Sequence, residues 1–564
     1  MNLSPEKKIA GVLAPLFALR REDDLGIGDV AALRQFIEWL AESGFKLVQL
    51  LPINEVGGDN SPYNAISAMA IEPTTLHLAP GSPEDLSADD FSSALADVDL
   101  AGLRRGPVKY AQVKKLNRHL LEKAFARFCA AQANEDRQSN FRKFCQEESA
   151  WLDGYVFFRA LMEENGEREN WDAWPYQSPE AARDWFGGLS LDRQSAFAQR
   201  QNFFRYVQWI AHQQWRELKA FADERGVALM GDIPFGISYY SVDVFSRRDE
   251  FALDWSAGAP PEPFFKEDKF TQKWGQNWGI PLYRWDTMRA RNFDWWRQRV
   301  RGVRSIFHLF RIDHVLGFYR IYAFPWRPSR NKEFLPLEWN QMLERTGGRA
   351  PHFAPRNDVT PQDCEANARE GEEYLRAILE DCGDARVVGE DLGIVPNYVR
   401  PNLRSLGIAG FKIPQWEGHG EQVTPGDEYD RLSVATYATH DHKPLRKLWE
   451  EAVEWPTSTS NQARQALNKI AGFAKFQPRT ESPKFGKDFY PVIMEALFKS
   501  ESWIALVMIT DLLARKYRFN IPGTAAPSNW TRRMQRSVTV LRRSPKERAR
   551  MRLIRDLLEK TGRT

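Results

Sequence analysis

Residues 306–318 read I-F-H-L-F-R-I-D-H-V-L-G-F. The first half is apolar and β-prone, as a strand buried on both faces of a parallel sheet must be, and it ends abruptly in Arg311, Asp313 and His314. A charged cluster directly after a core strand needs a cause. Burying a carboxylate costs several kcal/mol unless it is paired, and an arginine beside it keeps it ionised, which suits a nucleophile. Taken alone, the cluster reads equally well as a salt bridge tying a strand end to its neighbour.

The pattern recurs, and recurrence decides between the two. Residues 385–393 (A-R-V-V-G-E-D-L-G) put Glu390 and Asp391 at a second strand end, and residues 433–441 (S-V-A-T-Y-A-T-H-D) put His440 and Asp441 at a third. In a (β/α)8 TIM barrel the C-terminal strand ends converge on one face, so acids distant in sequence share one pocket.

The chain of 564 residues is long enough for several domains or for one barrel with large, mainly helical insertions, and the second organisation is expected. Lys plus Arg (78) nearly balances Asp plus Glu (75), so the net charge of +3 gives no electrostatic case for nucleic acid or an anionic membrane as partner. Cys129, Cys145, Cys364 and Cys382 are widely spaced, which indicates neither a zinc site nor a disulfide framework. A reducing compartment follows by default. Lys7-Lys8 and the apolar run after them imitate a signal peptide, but the run ends in R-R-E-D-D at Arg20 with no small-residue cleavage site, so a cytoplasmic protein is expected. No apolar run has the length of a membrane span.

Seven of the 20 tryptophans fall between Trp255 and Trp326. Flat rings with a polar edge suit the C–H faces of sugars, although most tryptophans pack in cores and rims. A ligand role is expected only in the Gly- and Pro-rich stretch, at Trp274 and Trp278.

Taken in order, Asp29 caps a helix whose apolar positions Val30, Leu33, Ile37 and Leu40 recur at helical spacing, and Gly44 closes it. A strand over 46–53 leads into G-G-D-N-S-P-Y-N at Gly57, a rim loop with Ser61 and Tyr63. The barrel is thus expected to begin in 1–72. A helical insertion follows over 73–202, with helices over 108–131 and 141–164, and the rest of the barrel fills 203–564, opened by a helix over 203–225. The next strand, over 227–233, leads to Asp232 and Asp243, both candidates for the same rim. Residues 256–283 read as a structured lid loop, followed by one helix before the core strand, and 325–360 as an irregular insertion. Further strands are expected over 408–416 and 503–512, the latter before a rim loop at Asn520 and Asn529-Trp530.

Together these pieces resemble the 4-α-glucanotransferases of the amylomaltase, or disproportionating-enzyme, type within the α-amylase superfamily. The matching motifs are G-I-G-D at Gly26, S-P-Y at Ser61, S-V-D-V at Ser241, G-Q-N-W-G-I-P-L-Y-R-W at Gly275, R-I-D-H at Arg311, G-E-D-L-G at Gly389, T-H-D at Thr439, and N-I-P-G-T with N-W from Asn520. They run in the family's order along nearly the whole chain. The stretch from Arg311 and the long gap to Glu390 look more like the plant cytosolic branch, without its starch-binding modules. Glu262 after the paired prolines and His442-Lys443-Pro444 after T-H-D depart from the usual pattern.

The resemblance implies that Asp313 is the nucleophile, Glu390 the general acid/base and Asp441 a third acid holding sugar hydroxyls. Arg311 and His440 would flank them, His314 and Asp243 would line the donor site, and Ser61, Tyr63, Trp278 and Asn520 would contact the glucan. Maltooligosaccharides and α-1,4-glucans would be the substrates, with no metal or organic cofactor. The implied reaction is transfer of a glucan segment to a 4-hydroxyl through a retaining double displacement. It requires Glu390 to be protonated near neutral pH and a lid carrying Phe264, Phe265, Trp274 and Trp278 to exclude water. An α-1,4-glucan hydrolase of the same fold and an inactive glucan-binding scaffold remain open alternatives.

Overall fold

A computed structural model of the chain describes residues 3–130, 134–262, 268–418, 420, 422–457, 460–478, 483–524 and 526–564. Its strands, in chain order, are β1 (Ile9–Leu13), β2 (Leu47–Gln49), β3 (Ala228–Pro234), β4 (Phe251–Ala259), β5 (Gln276–Tyr283), β6 (Leu309–Asp313), β7 (Ile321–Phe324), β8 (His352–Ala354), β9 (Arg386–Gly389), β10 (Gly410–Lys412), β11 (Ser433–Ala435) and β12 (Ile504–Met508). Eight of them form one parallel sheet in the order β10-β11-β12-β1-β2-β3-β6-β9. A parallel bridge between Val388 and Ala409 joins β9 to the edge of β10, so the sheet curls into a nearly closed barrel.

Burial on both faces explains the apolar runs: every residue of β1, β3 and β12 is buried. The seam between β1 and β12 is further held by Arg563, whose guanidinium donates to the carbonyls of Ile9, Phe498, Ser500, Ser502 and Trp503. Asp29 caps the helix Val30–Glu42 through the Ala32 N–H at 2.7 Å, a contact typically worth about 1 kcal/mol. Gly44, at φ +88°, then turns the chain into β2 in a conformation that L side chains rarely adopt.

Between β2 and β3 the described residues form helices and no named strand. The expected single helix over 141–164 is instead two, Glu135–Glu147 and Ser149–Glu164, and the helix expected over 203–225 is the second half of Leu191–Glu224, which runs unbroken through residue 202. Two helices, Trp285–Ala290 and Asp294–Ile306, precede β6 where one was expected.

The larger correction concerns 256–283 and 325–360. Both contribute to a second, antiparallel sheet in the order β5-β4-β7-β8, with an irregularity between Ala252 and Ala257. The stretch expected as a lid loop is therefore a pair of antiparallel strands with a short helix, Lys269–Lys273, between them. Phe270, Trp274, Phe324, Trp326, Phe334 and Met342 pack into a small apolar cluster of its own beside this sheet. Trp274 is 4% exposed and donates its indole N–H to the Phe334 carbonyl, so it anchors the ribbon and offers no face to a ligand. Phe264 and Phe265 lie outside the described residues.

Candidate active site

Arg311 is the hub. It sits on β6, 3% exposed at its side chain, with Asp232 of the adjacent β3 on one side. Its NH1 nitrogen donates to both Asp232 oxygens at 2.7 and 2.6 Å, and its NH2 nitrogen reaches Asp313 Oδ1 at 2.7 Å and Glu390 Oε1 at 3.1 Å. One nitrogen thus touches both candidate catalytic carboxylates, so their oxygens are no further apart than those two contacts laid end to end. That is compatible with the roughly 5 Å separation of a retaining pair.

The strands explain the convergence. Asp313 is the last residue of β6, and Glu390 follows β9, the parallel neighbour of β6. The Glu390 N–H donates to the Ile312 carbonyl at 2.9 Å, extending the ladder to the acid itself. His314 then leaves the strand at φ +50°, and its backbone N–H donates to Glu390 Oε2 at 2.9 Å. An aimed backbone donor next to a buried carboxylate repays the unusual conformation.

A second group closes on Asp441. Its Oδ2 pairs with His440 Nε2 at 3.1 Å, its Oδ1 accepts from Asn520 Nδ2 at 2.6 Å, and Arg518 donates to its backbone carbonyl. His440 is stacked on Tyr63, with ring centroids 5.2 Å apart and planes 18° from parallel, and Trp530 packs against both rings. The Tyr63 hydroxyl donates to Asp232 Oδ2 at 2.8 Å, which ties this group back to Arg311.

The electrostatics separate the three acids. Burial works against the charge of Asp441, but His440 and Asn520 more than offset it and hold the carboxyl below the usual carboxylate range. His440 is correspondingly raised, because Asp441 outweighs its burial. Burial pushes Asp313 up to about 8, against the pull of Arg311 and with the help of Glu390 and Asp232. For Glu390 burial is outweighed by Arg311 and the His314 N–H, so it lies below its ordinary value. Asp313 and Glu390 share one guanidinium nitrogen and titrate as a pair that retains one proton near neutral pH. Against the expectation that Glu390 carries this proton, the backbone donor from His314 favours the ionised form of Glu390.

The other expected residues fall into two classes. Trp278 is 38% exposed and meets the His314 ring edge to face at 4.8 Å, which keeps it beside the acids. Ser61 accepts from the Tyr63 N–H at 3.4 Å and shapes the turn that presents Tyr63. Asp243 is buried and differs from the donor-site expectation: its two oxygens accept from the Ala68 N–H and the Trp295 indole, both at 2.8 Å. It supports the segment after Tyr63 from behind. Asp391, adjacent to Glu390, likewise accepts from the Phe411 N–H and from Arg400.

Asp232 and Trp530 are expected only as residues of the rim, and the local sequence gives Arg518 no site role. Their partners Arg311, His440 and Asp441 come from other strands, so no local spacing links them. Trp416, 54% exposed, and His442, 4.8 Å from it between ring centroids, extend the rim from the loops after β10 and β11. Among the described residues no group of three His, Cys, Asp or Glu side chains could hold a metal ion, and no helix is long and apolar enough to cross a membrane.

Residues 14–539 match the 4-alpha-glucanotransferase family. A 4-alpha-glucanotransferase of Chlamydia caviae is 32% identical over 544 residues, which span 94% of this chain and 91% of that protein. The 4-alpha-glucanotransferase DPE2 of Oryza sativa subsp. japonica is also 32% identical, over 90% of this chain and 64% of its own length. Among solved structures, the amylomaltase from Streptococcus agalactiae in complex with acarbose superposes with a TM-score of 0.75 at 23% identity, covering 99% of this chain and 100% of that one.

Proposed function

Because the chain belongs to the 4-alpha-glucanotransferase family and is a glucan-transferring enzyme, we propose that Asp313, Glu390 and Asp441 carry the transfer of an α-1,4-glucan segment between maltooligosaccharides. The observation that carries this reading is the single Arg311 nitrogen in contact with both Asp313 and Glu390.

Reaction begins when the pair's proton stands on Glu390 and Asp313 is ionised. In the free enzyme burial favours a proton on Asp313 and the His314 N–H favours ionised Glu390, so donor binding must shift the balance towards Glu390. A glycosidic oxygen seated against Glu390 gives the proton an acceptor there, while the sugar ring excludes water from Asp313. The bond from C1 to the departing oxygen breaks, that oxygen takes the Glu390 proton, and Asp313 forms an ester with C1. The released glucan leaves. An acceptor 4-hydroxyl then gives its proton to Glu390, its oxygen bonds C1, and Asp313 departs as carboxylate.

The remaining residues bind and orient. Asp441, held ionised by His440 and Asn520, accepts hydrogen bonds from sugar hydroxyls and favours the flattened, cationic ring of the transition state over the ground state. Tyr63, set by its stack on His440 and its bond to Asp232, gives a donor ring a flat apolar face. Trp278 stands on the lid ribbon beside His314 and covers the glucosyl-enzyme. Its position supports transfer over hydrolysis, since water at roughly 55 M loses to dilute sugar only when the site is dry and the acceptor oriented. A cytoplasmic setting fits the four free cysteines.

Incubation with maltotriose tests the reading. Glucose and a ladder of longer maltooligosaccharides should form with almost no gain in reducing ends. A steady gain in reducing ends would make the enzyme a hydrolase.

A further inference from the structure

Five arginines line one cavity of about 510 Å3 on the same end of the barrel as the acids: Arg20, Arg104, Arg105, Arg532 and Arg533. The loop after β1 supplies Arg20, the helix Leu100–Arg104 and the turn behind it supply the next two, and the segment after β12 supplies the last two. No acidic side chain lines the cavity. Among the described residues these five arginines make one ion pair, in which the fully buried Asp24 accepts from Arg533 NH2 at 2.6 Å.

Structural contacts account for part of this cluster. Arg20 donates to the carbonyls of Arg104, Met534 and Gln535, Arg104 donates to that of Asp24, and Arg533 donates to that of Leu19. Donors remain beyond these. Arg533 is only 5% exposed, yet its Nε and NH1 have no partner among the described residues, and neither does the buried Nε of Arg20. Arg105 and Arg532 are exposed, and their side chains make no hydrogen bond or ion pair among the described residues. A buried guanidinium with unmet N–H groups is costly, and clustered like charges add to that cost. A dianion with several acceptor oxygens removes both, through charge-assisted, forked hydrogen bonds.

We propose that this cavity binds a phosphate-bearing ligand, free phosphate or a phosphomonoester, and that its occupancy is transmitted to Trp530. The link is short. Two residues after Trp530 comes Arg532, and the stretch just after Arg105 grips the same segment: the Val108 N–H donates to the Thr531 carbonyl at 2.8 Å and the Tyr110 hydroxyl to the Trp530 carbonyl at 2.7 Å. An anion drawing Arg105 and Arg532 together therefore acts on the segment that packs Trp530 against Tyr63 and His440.

Calorimetric titration of the protein at fixed ionic strength, with inorganic phosphate and with glucose 6-phosphate, tests the site. At least one should bind saturably, and the double variant Arg105→Ala, Arg532→Ala should bind it about tenfold or more weakly while melting at the wild-type temperature without ligand. Saturation by phosphate assigns the free anion, and saturation by the sugar phosphate alone assigns a phosphomonoester. Absence of saturable binding by both, or equal affinity in the double variant, overturns the site. In the same samples the bound ligand should change the KM for maltotriose in the wild type and leave that of the double variant unmoved. An unaltered wild-type KM at saturation overturns the link to Trp530.

Discussion

Arg311 meets both oxygens of Asp232 through one nitrogen, at 2.7 and 2.6 Å, and so keeps its other terminal nitrogen for Asp313 and Glu390. Asp232 thereby balances a buried charge without taking part in the proton transfer or the bond to C1. Asp232→Asn should lower stability by about 3–5 kcal/mol in denaturant unfolding, the usual cost of stripping one partner from a buried pair. It should also move the alkaline limb of the pH-rate profile to lower pH. The charge of Asp232 helps Asp313 hold the pair's proton, and without it the proton leaves earlier. A limb that stays in place would separate Asp232 from the titration of the pair.

Asp313→Ala and Glu390→Gln should each cut turnover by at least about a hundredfold while circular dichroism stays native. Both side chains sit at strand ends on the rim, outside the apolar packing of the barrel. A substantial residual rate in Asp313→Ala would remove it as nucleophile.

Asp441→Asn should depress kcat strongly with little shift of the pH optimum, because Asp441 is only a minor influence on Glu390. Its effect on stability has a sign that depends on pH. The lowered carboxyl contributes fully above its unfolded pKa of about 3.9 and loses this as pH falls through the folded value; the raised His440 contributes fully below about 6.5 and loses this as pH rises through its folded value. The variant should therefore be most destabilised between about pH 4 and 6.5. Melting curves across that range check it, and a stability loss that is flat with pH would contradict the ion pair.

Trp278→Ala and Trp274→Ala should part company. The first removes an exposed ring beside His314 and should raise the ratio of hydrolysis to transfer without loss of stability. The second opens a hole in the cluster with Trp326 and Phe334 and should cost the ribbon about 3–5 kcal/mol, seen as faster amide exchange over 256–283. Equal product ratios in Trp278→Ala and wild type would refute the lid role.

The three acids were legible because each follows a strand that reads as a core element and then stops in charge. Arg311 to Asp313 is the plainest case, and the cap at Asp29 with Gly44 was equally local. The ribbon of β4 and β5 was not legible: its strands are only partly buried, its register shifts between Ala252 and Ala257, and glycine and proline interrupt the alternation that marks a strand. Trp274 and Trp278 stand four positions apart in one loop-like stretch, yet one is core and the other rim; a neighbour as distant in sequence as Phe334 makes that difference. The proton order of Asp313 and Glu390 was hidden for a similar reason, since it turns on a backbone N–H aimed by the φ of His314.

The seam of the barrel has a consequence in time. β1 takes β2 on one side within a few dozen residues, but its other neighbour, β12, begins only at Ile504. At ribosomal speeds of about 5–20 residues per second, the open edge of β1 waits roughly 25 to 100 seconds for its partner. Throughout that interval I-A-G-V-L presents unpaired backbone groups and apolar side chains to every other nascent chain nearby. Vulnerability during biosynthesis is thus concentrated in the first strand made, and a shortage of chaperone should lower the yield of this enzyme far more than any change in its finished stability would suggest.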